Sequence, residues 1–284
     1  MFYYLKLKKI LRQIINFIIN IYGTTKLGYF INDLIISNCM QKTKSISYND
    51  IKMEFVVPNR LNLFRVKTFA TKEPETLDWI DQLPEGCNFW DIGANIGLYT
   101  VYASLKKKSK VVSFEPSVFN LELLARNIYL NQIHNDVILI PFALSEQKGS
   151  NLFRMTTTEW GGALSTFGKN VGWDGFAISE TFAFPTYGLT IDQAVDLLKL
   201  PIPDFIKIDV DGIEHFLLEG GKSVLQKIQG ILLEINDDYR EQAELSNRLL
   251  KEAGLVLLAK RSSEQIKNST SGFQNTYNQI WRRK

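Results

Sequence analysis

Phe89-Trp-Asp-Ile-Gly-Ala-Asn-Ile-Gly97 reads as a short apolar strand that turns through Gly93 into a helix beginning near Asn95. Its glycines are spaced G-x-x-x-G, so the dinucleotide fingerprint G-x-G-x-x-G fails at the middle glycine. The charge around the turn differs too. A phosphate-binding turn offers backbone N–H groups with no carboxylate nearby, whereas Asp91 precedes this one and Glu115 follows a strand later. That pairing favours a cationic, phosphate-free cofactor such as S-adenosylmethionine: one acid attracts its sulfonium and ammonium, and another accepts from its ribose diol. An acid in the place of Glu115 also holds ribose in nicotinamide enzymes, so only Asp91 and the missing glycine separate the two cofactors. A glycine turn of this kind is, by itself, as readily structural.

Downstream of the turn, strands and helices alternate. Strands are expected at Asn88–Ile92, Val111–Glu115, Val137–Phe142, Phe205–Asp209 and Ile231–Ile235, with helices at about 95–106, 116–131, 192–200 and 214–226. Such alternation predicts a doubly wound α/β sheet. A helix over 240–253 and strands near 255–260 and 278–283 follow, and the polar stretch Ser262–Gln274 between these strands suggests that one runs antiparallel at the sheet edge. Upstream, a helix is expected from Pro74, since proline suits the first helical turn. Residues 37–72 read as a polar linker and two short strands, Ile51–Val57 and Phe64–Phe69, with a turn at Pro58-Asn59-Arg60.

Composition bounds the partners. A chain of 284 residues with 45% hydrophobic and 22% charged residues has the balance of an ordinary globular domain, and a net charge of +3 gives no argument for nucleic acid. Cys39 and Cys87 form no CxxC and lie far apart, so neither a zinc cluster nor a disulfide framework is indicated, and a reducing cytoplasm is the default. Residues 1–32 contain no Asp or Glu but carry Lys6, Lys8, Lys9, Arg12 and Lys26. Arg12, Gln13, Asn16 and Asn20 interrupt the apolar run from Leu5 to Tyr22, well short of the ~20 residues that span a bilayer. Two readings stay open for this segment: a helix packed on the domain or a partner, and a basic helix resting on an anionic membrane surface at the inner face.

Asp91-Ile-Gly-Ala-Asn-Ile-Gly-Leu-Tyr-Thr, Phe114-Glu-Pro, Leu189-Thr-Ile-Asp and Phe205-Ile-Lys-Ile-Asp-Val-Asp-Gly-Ile-Glu together resemble the FkbM family of methyltransferases, over about residues 71–236. Lys72-Glu-Pro-Glu-Thr is similar to a segment many members carry just upstream. The resemblance implies a Rossmann-like seven-stranded sheet, mostly parallel with an antiparallel last strand. It also implies S-adenosylmethionine as cofactor and methylation of hydroxyl groups on sugars and natural products. By position, Asp91, Gly93, Asn95 and Gly97 would form the turn under the methionine part, Glu115 would hold the ribose, and Ala143 and Leu144 would lie near the adenine. The family usually has glutamate where this chain has Asp211, which shortens the reach by one methylene. A division into an extension, 1–70, and a methyltransferase domain, 71–284, follows from where the resemblance starts.

Every acidic candidate falls at the carboxyl end of an expected strand, where ligands of open α/β sheets sit. Asp209 is the expected base or orienting group for an acceptor hydroxyl, or else a cap on the next helix. Glu234 and Asn236 are candidates for acceptor hydroxyls, against plain loop polarity. His215 is a possible general base by its ordinary pKa, although its helical position suits solvent or core as well. Glu214 reads as an acid in a helix first turn, and His134 has no assigned role. Asp209, Asp211, Glu234 and Asn236 form only a weak set for a metal, and no metal is expected. The excursion 151–188, with Trp160, Trp173 and several phenylalanines, suggests a mobile acceptor lid in which Trp160 stacks on a sugar; a satellite apolar cluster under a loop is the alternative. The expected function is therefore an S-adenosylmethionine-dependent O-methyltransferase acting on a small-molecule or glycan acceptor. A nicotinamide oxidoreductase and a non-catalytic cofactor-binding scaffold remain as alternatives.

Overall fold

The computed structural model describes residues 2–262 and 273–284. Two helices, α1 (Phe2–Tyr22) and α2 (Lys26–Gln41), precede a hairpin of β1 (Thr43–Tyr48) and β2 (Ile51–Val56). Three short helices follow: α3 (Arg60–Lys67), α4 (Phe69–Lys72) and α5 (Pro74–Asp81). Then come β3 (Asn88–Ile92), α6 (Leu98–Lys107), β4 (Lys110–Phe114), α7 (Val118–Leu130) and β5 (Val137–Ile140). Four strands, β6 (Ala143–Leu144), β7 (Gly149–Met155), β8 (Thr166–Phe167) and β9 (Phe182–Leu189), occupy the next stretch. After α8 (Ile191–Leu198) and β10 (Phe205–Ile208) stand α9 (Glu214–Glu219), α10 (Lys222–Leu225) and β11 (Gly230–Asn236). The last elements are α11 (Arg240–Glu252), β12 (Leu255–Arg261) and β13 (Thr276–Arg283).

Seven strands form the main sheet in the order β12-β13-β11-β10-β3-β4-β5. The pairs from β11 to β5 are parallel, and β13 is antiparallel to both of its neighbours. Alternation along each strand gives the sheet two apolar faces. Trp90, Ile92, Ile206, Ile208, Ile231 and Leu233 pack toward α8, α9 and α11, while Phe89, Val111, Phe205 and Leu232 pack toward α5, α6 and α7. Helices thus cover both faces, as the alternation of elements predicts.

Several expectations change. The antiparallel strand is not the edge: β13 lies inside β12, because Ile280 and Trp281 are buried and both sides of β13 are hydrogen-bonded. Of the polar connection expected at Ser262–Gln274, residues 263–272 lie outside the described residues. Phe64–Phe69 is not a strand but the end of α3 and the start of α4; Asn59 caps α3 by accepting from the Asn62 N–H, which starts a helix over a weakly alternating stretch. The expected helix 214–226 breaks at Gly220-Gly221, where an added Cβ at Gly220 would lie 2.4 Å from the Ser145 carbonyl oxygen. β5, expected as a buried strand, is the sheet edge, with Ile138 exposed.

Nor is the boundary at residue 70 a physical one. Met53 and Phe55 of β2 are fully buried in the core beside α6 and α7. Asn127 of α7 and Asn131, which caps that helix, accept from the Val56 and Glu54 N–H groups respectively, so the hairpin is joined to the main body by backbone as well as side chains. The supposed linker is the end of α2 and β1; α1 and most of α2 stand away from the core, with Met40 at the end of α2 packing against it.

The excursion after residue 142 is also ordered. β6, β9, β7 and β8 form a second sheet, and Phe153, Met155, Phe167 and Leu189 bury their side chains in the core on the α8 side. It is a packed layer rather than a free lid. Its long alternation was hidden in the sequence by Gly149, Pro185 and the irregular stretch between the strands.

Candidate active site

The chain runs β3, β4, β5 in one direction and then crosses back to lay β10 on the other side of β3. A crevice opens at such a reversal of strand order. Gly93 and Asp209 meet there. Gly93 has φ +80°, and a Cβ on it would lie 1.9 Å from the Asp209 carbonyl oxygen, so the close approach of the two loops requires glycine.

Two adjoining clefts share Gly93, Asn95 and Asp209. The first encloses about 580 Å³ out to its mouth and is lined by Glu115, Phe142, Ala143, Leu144, Gly162 and Asp211, among others. The second, of about 480 Å³, is lined by Arg65, Lys72, Glu73, Tyr99 and Lys207.

Glu115 is almost wholly buried at the floor of the first cleft. Its two oxygens accept from the Asn95 and Ser117 N–H groups, each at 2.8 Å. Burial pushes its carboxyl up to about 7, against the lowering effect of those two N–H groups. One lone pair on each oxygen remains for a ligand, which is the donor-accepting geometry a vicinal diol needs. Ala143 and Leu144, in β6, line the same cleft as expected.

Asp91 lies deeper than expected. It lines neither cleft: it is fully buried under the turn, accepts from the Thr100 hydroxyl at 2.6 Å, and faces Lys207 Nζ at 4.0 Å. Gly97 likewise lines neither, but begins α6 at φ +83°, with a prospective Cβ 2.3 Å from Leu124. Both shape the turn rather than touch its contents.

Lys207 is the residue that the sequence reading passed over. It is fully buried on β10, 3.1 Å from Asp209 Oδ2 and 5.0 Å from the centre of the Tyr99 ring. Burial opposes its charge, but Asp209, Asp91 and Glu73 together raise its pKa above the ordinary lysine value. A lone lysine between isoleucines in Phe205-Ile-Lys-Ile was the available signal, since a buried cation needs partners. Glu73 was missed as well. Although buried, its carboxyl is held down to about 2 by the ammonium groups of Lys72 and Lys207, and it accepts from the Tyr99 hydroxyl at 2.9 Å.

The remaining acids divide. Asp209, partly exposed, is the carboxylate common to both clefts. Burial and the neighbouring Asp209 push Asp211 up to about 6, and its carboxylate accepts from the Leu164 N–H. Glu234, half-buried, has its pKa raised well above the ordinary value by burial and by Asp209 and Glu73, and it lines neither cleft. Glu214 serves the loop: it accepts from the Val210 and Gly212 N–H groups and from Gln242.

Besides Asp91, Gly97 and Glu234, three more expected site residues fall outside the clefts. His215 is fully buried between Phe216 and Tyr239, and burial lowers its pKa to about 4, so it is no general base for the crevice. Asn236 spends its side chain internally, donating to the Trp173 carbonyl and accepting from the Asp238 N–H. Trp160 packs against the core, and its carbonyl accepts from Asn59 and Asn62. Its segment still matters. Residues 160–164 form a strap over the first cleft, held by Arg65 to the Gly161 carbonyl, by Asn95 and Asn120 to the Gly162 carbonyl, and by Asp211 to Leu164.

The match to a model described as the methyltransferase FkbM domain extends over residues 91–257, more than half of the chain. The chain belongs to the FkbM methyltransferase family. This FkbM chain is 24% identical over 182 residues to a hexuronic acid methyltransferase, AglP, of Haloferax volcanii, covering 64% of this chain and 70% of that one. It is 35% identical over 104 residues to methyltransferase sdnD of Sordaria araneosa, covering 34% and 40%. Among solved structures, the FkbM methyltransferase of Methylobacillus flagellatus aligns with a TM-score of 0.46 at 17% identity, over 71% of this chain and 44% of that one. The cofactor of this FkbM protein is S-adenosylmethionine, and the residues fit it: a buried carboxylate with lone pairs left for the ribose diol, beside a turn whose Gly93 and Asn95 line the cleft. Nothing in the match supports the oxidoreductase or scaffold readings.

Proposed function

We propose that the protein transfers a methyl group from S-adenosylmethionine to a hydroxyl of a sugar, a glycan or a similar hydroxylated metabolite. The observation that carries this is Asp209, a carboxylate shared by both clefts and fixed from behind by Lys207. S-adenosylmethionine, when bound, supplies an electrophilic methyl group on a sulfonium. Glu115 would hold the ribose, with Ala143, Leu144 and Phe142 along the adenine. In the second cleft, Arg65 and Lys72 supply positive charge for the methionine carboxylate and Glu73 supplies negative charge for its ammonium. Gly93, Asn95 and Asp209, common to both clefts, would then flank the sulfonium.

An alcohol entering beside Asp209 meets an acceptor for its proton at the moment its oxygen attacks. Lys207 holds one carboxylate oxygen and leaves the other to the alcohol. The name of the Haloferax volcanii relative supports a sugar acceptor.

Incubation with S-adenosylmethionine and a pool of free and linked hexoses and hexuronic acids should yield products heavier by one methylene. In a single turnover, Asp209→Asn should slow methyl transfer by about 10²–10⁴-fold while donor affinity changes little. An unchanged single-turnover rate would remove Asp209 from the chemistry, and products methylated only on the uronic carboxylate, as methyl esters, would overturn the hydroxyl assignment.

A further inference from the structure

In α1 the polar side chains Lys6, Lys9, Gln13, Asn16 and Asn20 recur at spacings of three and four and so share one face. Leu7, Ile10, Leu11, Ile14, Ile18 and Ile21 take the opposite face. In a soluble domain such a stripe turns inward. Here it does not: every residue from 6 to 20 is exposed, and the six apolar residues are 46–63% exposed. α2 extends the surface with Leu27, Phe30 and Leu34 to Ile36, also exposed. An uncovered apolar surface of this extent marks an interaction site.

The charge identifies the occupant. Lys6, Lys8, Lys9 and Arg12 lie along or beside the polar face, and no acidic residue occurs before Asp33. A second copy of the helix would cover the apolar face but bring cations near cations. An anionic bilayer covers the apolar face with acyl chains and neutralises the cations with its headgroups. Crossing the bilayer is a different matter: no helix among the described residues is long and apolar enough for that. The corner between the helices is built, not loose. Thr25 caps α2 by accepting from the Gly28 N–H, and Gly28 packs so closely on the end of α1 that a Cβ would lie 1.9 Å from the Tyr22 carbonyl oxygen.

We propose that α1 lies flat in the headgroup region of an anionic membrane, apolar face down, and holds the methyltransferase at the lipid surface. None of its residues lines either cleft, so docking and methyl transfer are separable.

The test is sedimentation of the full chain with vesicles of phosphatidylcholine alone and with phosphatidylglycerol added. Binding should be about tenfold tighter to the anionic vesicles and should weaken as salt rises from about 0.05 to about 0.5 M. Two variants separate the contributions: Lys6→Glu/Lys9→Glu/Arg12→Glu should abolish the preference for anionic lipid, and Leu11→Ser/Ile14→Ser/Ile18→Ser should abolish binding to both. Both should keep the parent's affinity for S-adenosylmethionine, which shows that the body is folded. Equal recovery of the parent in the supernatant with either vesicle overturns the proposal. So does a parent that is dimeric in solution, becomes monomeric with the serine variant and ignores lipid throughout.

Discussion

Burial carries the Glu115 carboxyl up toward neutrality. Its carboxyl stands near 7 in the folded protein against an ordinary 4.5, so the folded state keeps a proton that the unfolded chain releases. Its contribution to stability is full below 4.5 and is lost as pH rises through about 7. Donor binding should run the other way, because only the ionised carboxylate accepts from both ribose hydroxyls. Affinity for S-adenosylmethionine, measured by calorimetry, should therefore rise from about pH 6 to about pH 8, with proton release near neutrality, and Glu115→Gln should flatten that rise and weaken binding about tenfold. His215 shows the opposite sign. Burial lowers it from 6.5 to about 4, so its contribution is present above 6.5 and lost as pH falls through 4. In urea unfolding at pH 7 and 4.5, His215→Leu should lose about 2 kcal/mol less stability than the parent over that interval. Glu115 and Asp209 were legible from the sequence because strand ends in an α/β sheet point at the crevice. His215 and Asn236 misled because chemical aptitude says nothing about burial. Lys207 escaped notice for the converse reason: its function is to be buried among acids, which a linear reading shows only as a lysine out of place.

Elements made of buried parallel strands were the easiest to read, since each is a run of apolar residues between a turn and a helix. Phe64–Phe69 was not, because a stretch of mixed periodicity is decided by the Asn59 cap and by what α3 packs on. The strap at 160–164 was invisible, its bonds being almost all to backbone carbonyls and N–H groups, which have no sequence signature. It has a measurable function. Asn120 accepts from the Gly161 N–H and donates to the Gly162 carbonyl, so Asn120→Ala strips two bonds from the cover of the first cleft. Donor release in stopped-flow should quicken about tenfold or more. Gly161→Ala should act similarly, since Gly161 has φ +83° and its Cβ would fall 2.4 Å from Asn62 Oδ1.

Across the whole molecule, the resemblance located the catalytic body but drew its border too late. β1, β2 and α3 belong to that body, burying Met53 and Phe55 and extending Arg65 to the strap. A chain lacking residues 1–41 should unfold with the parent's denaturant midpoint and bind S-adenosylmethionine with the parent's affinity. A chain lacking residues 1–72 should lose both, and circular dichroism with calorimetry distinguishes the two outcomes. The strap joins these parts in another way. It ties α3, the turn before α6, α7 and the loop after β10 over one cleft, so release of spent cofactor should require four regions to let go together. We expect exchange, rather than bond-making, to pace repeated cycles. An enzyme so built hides its chemistry from steady-state measurement: deuterium on the transferred methyl would register in a single turnover and fade once many turnovers are averaged.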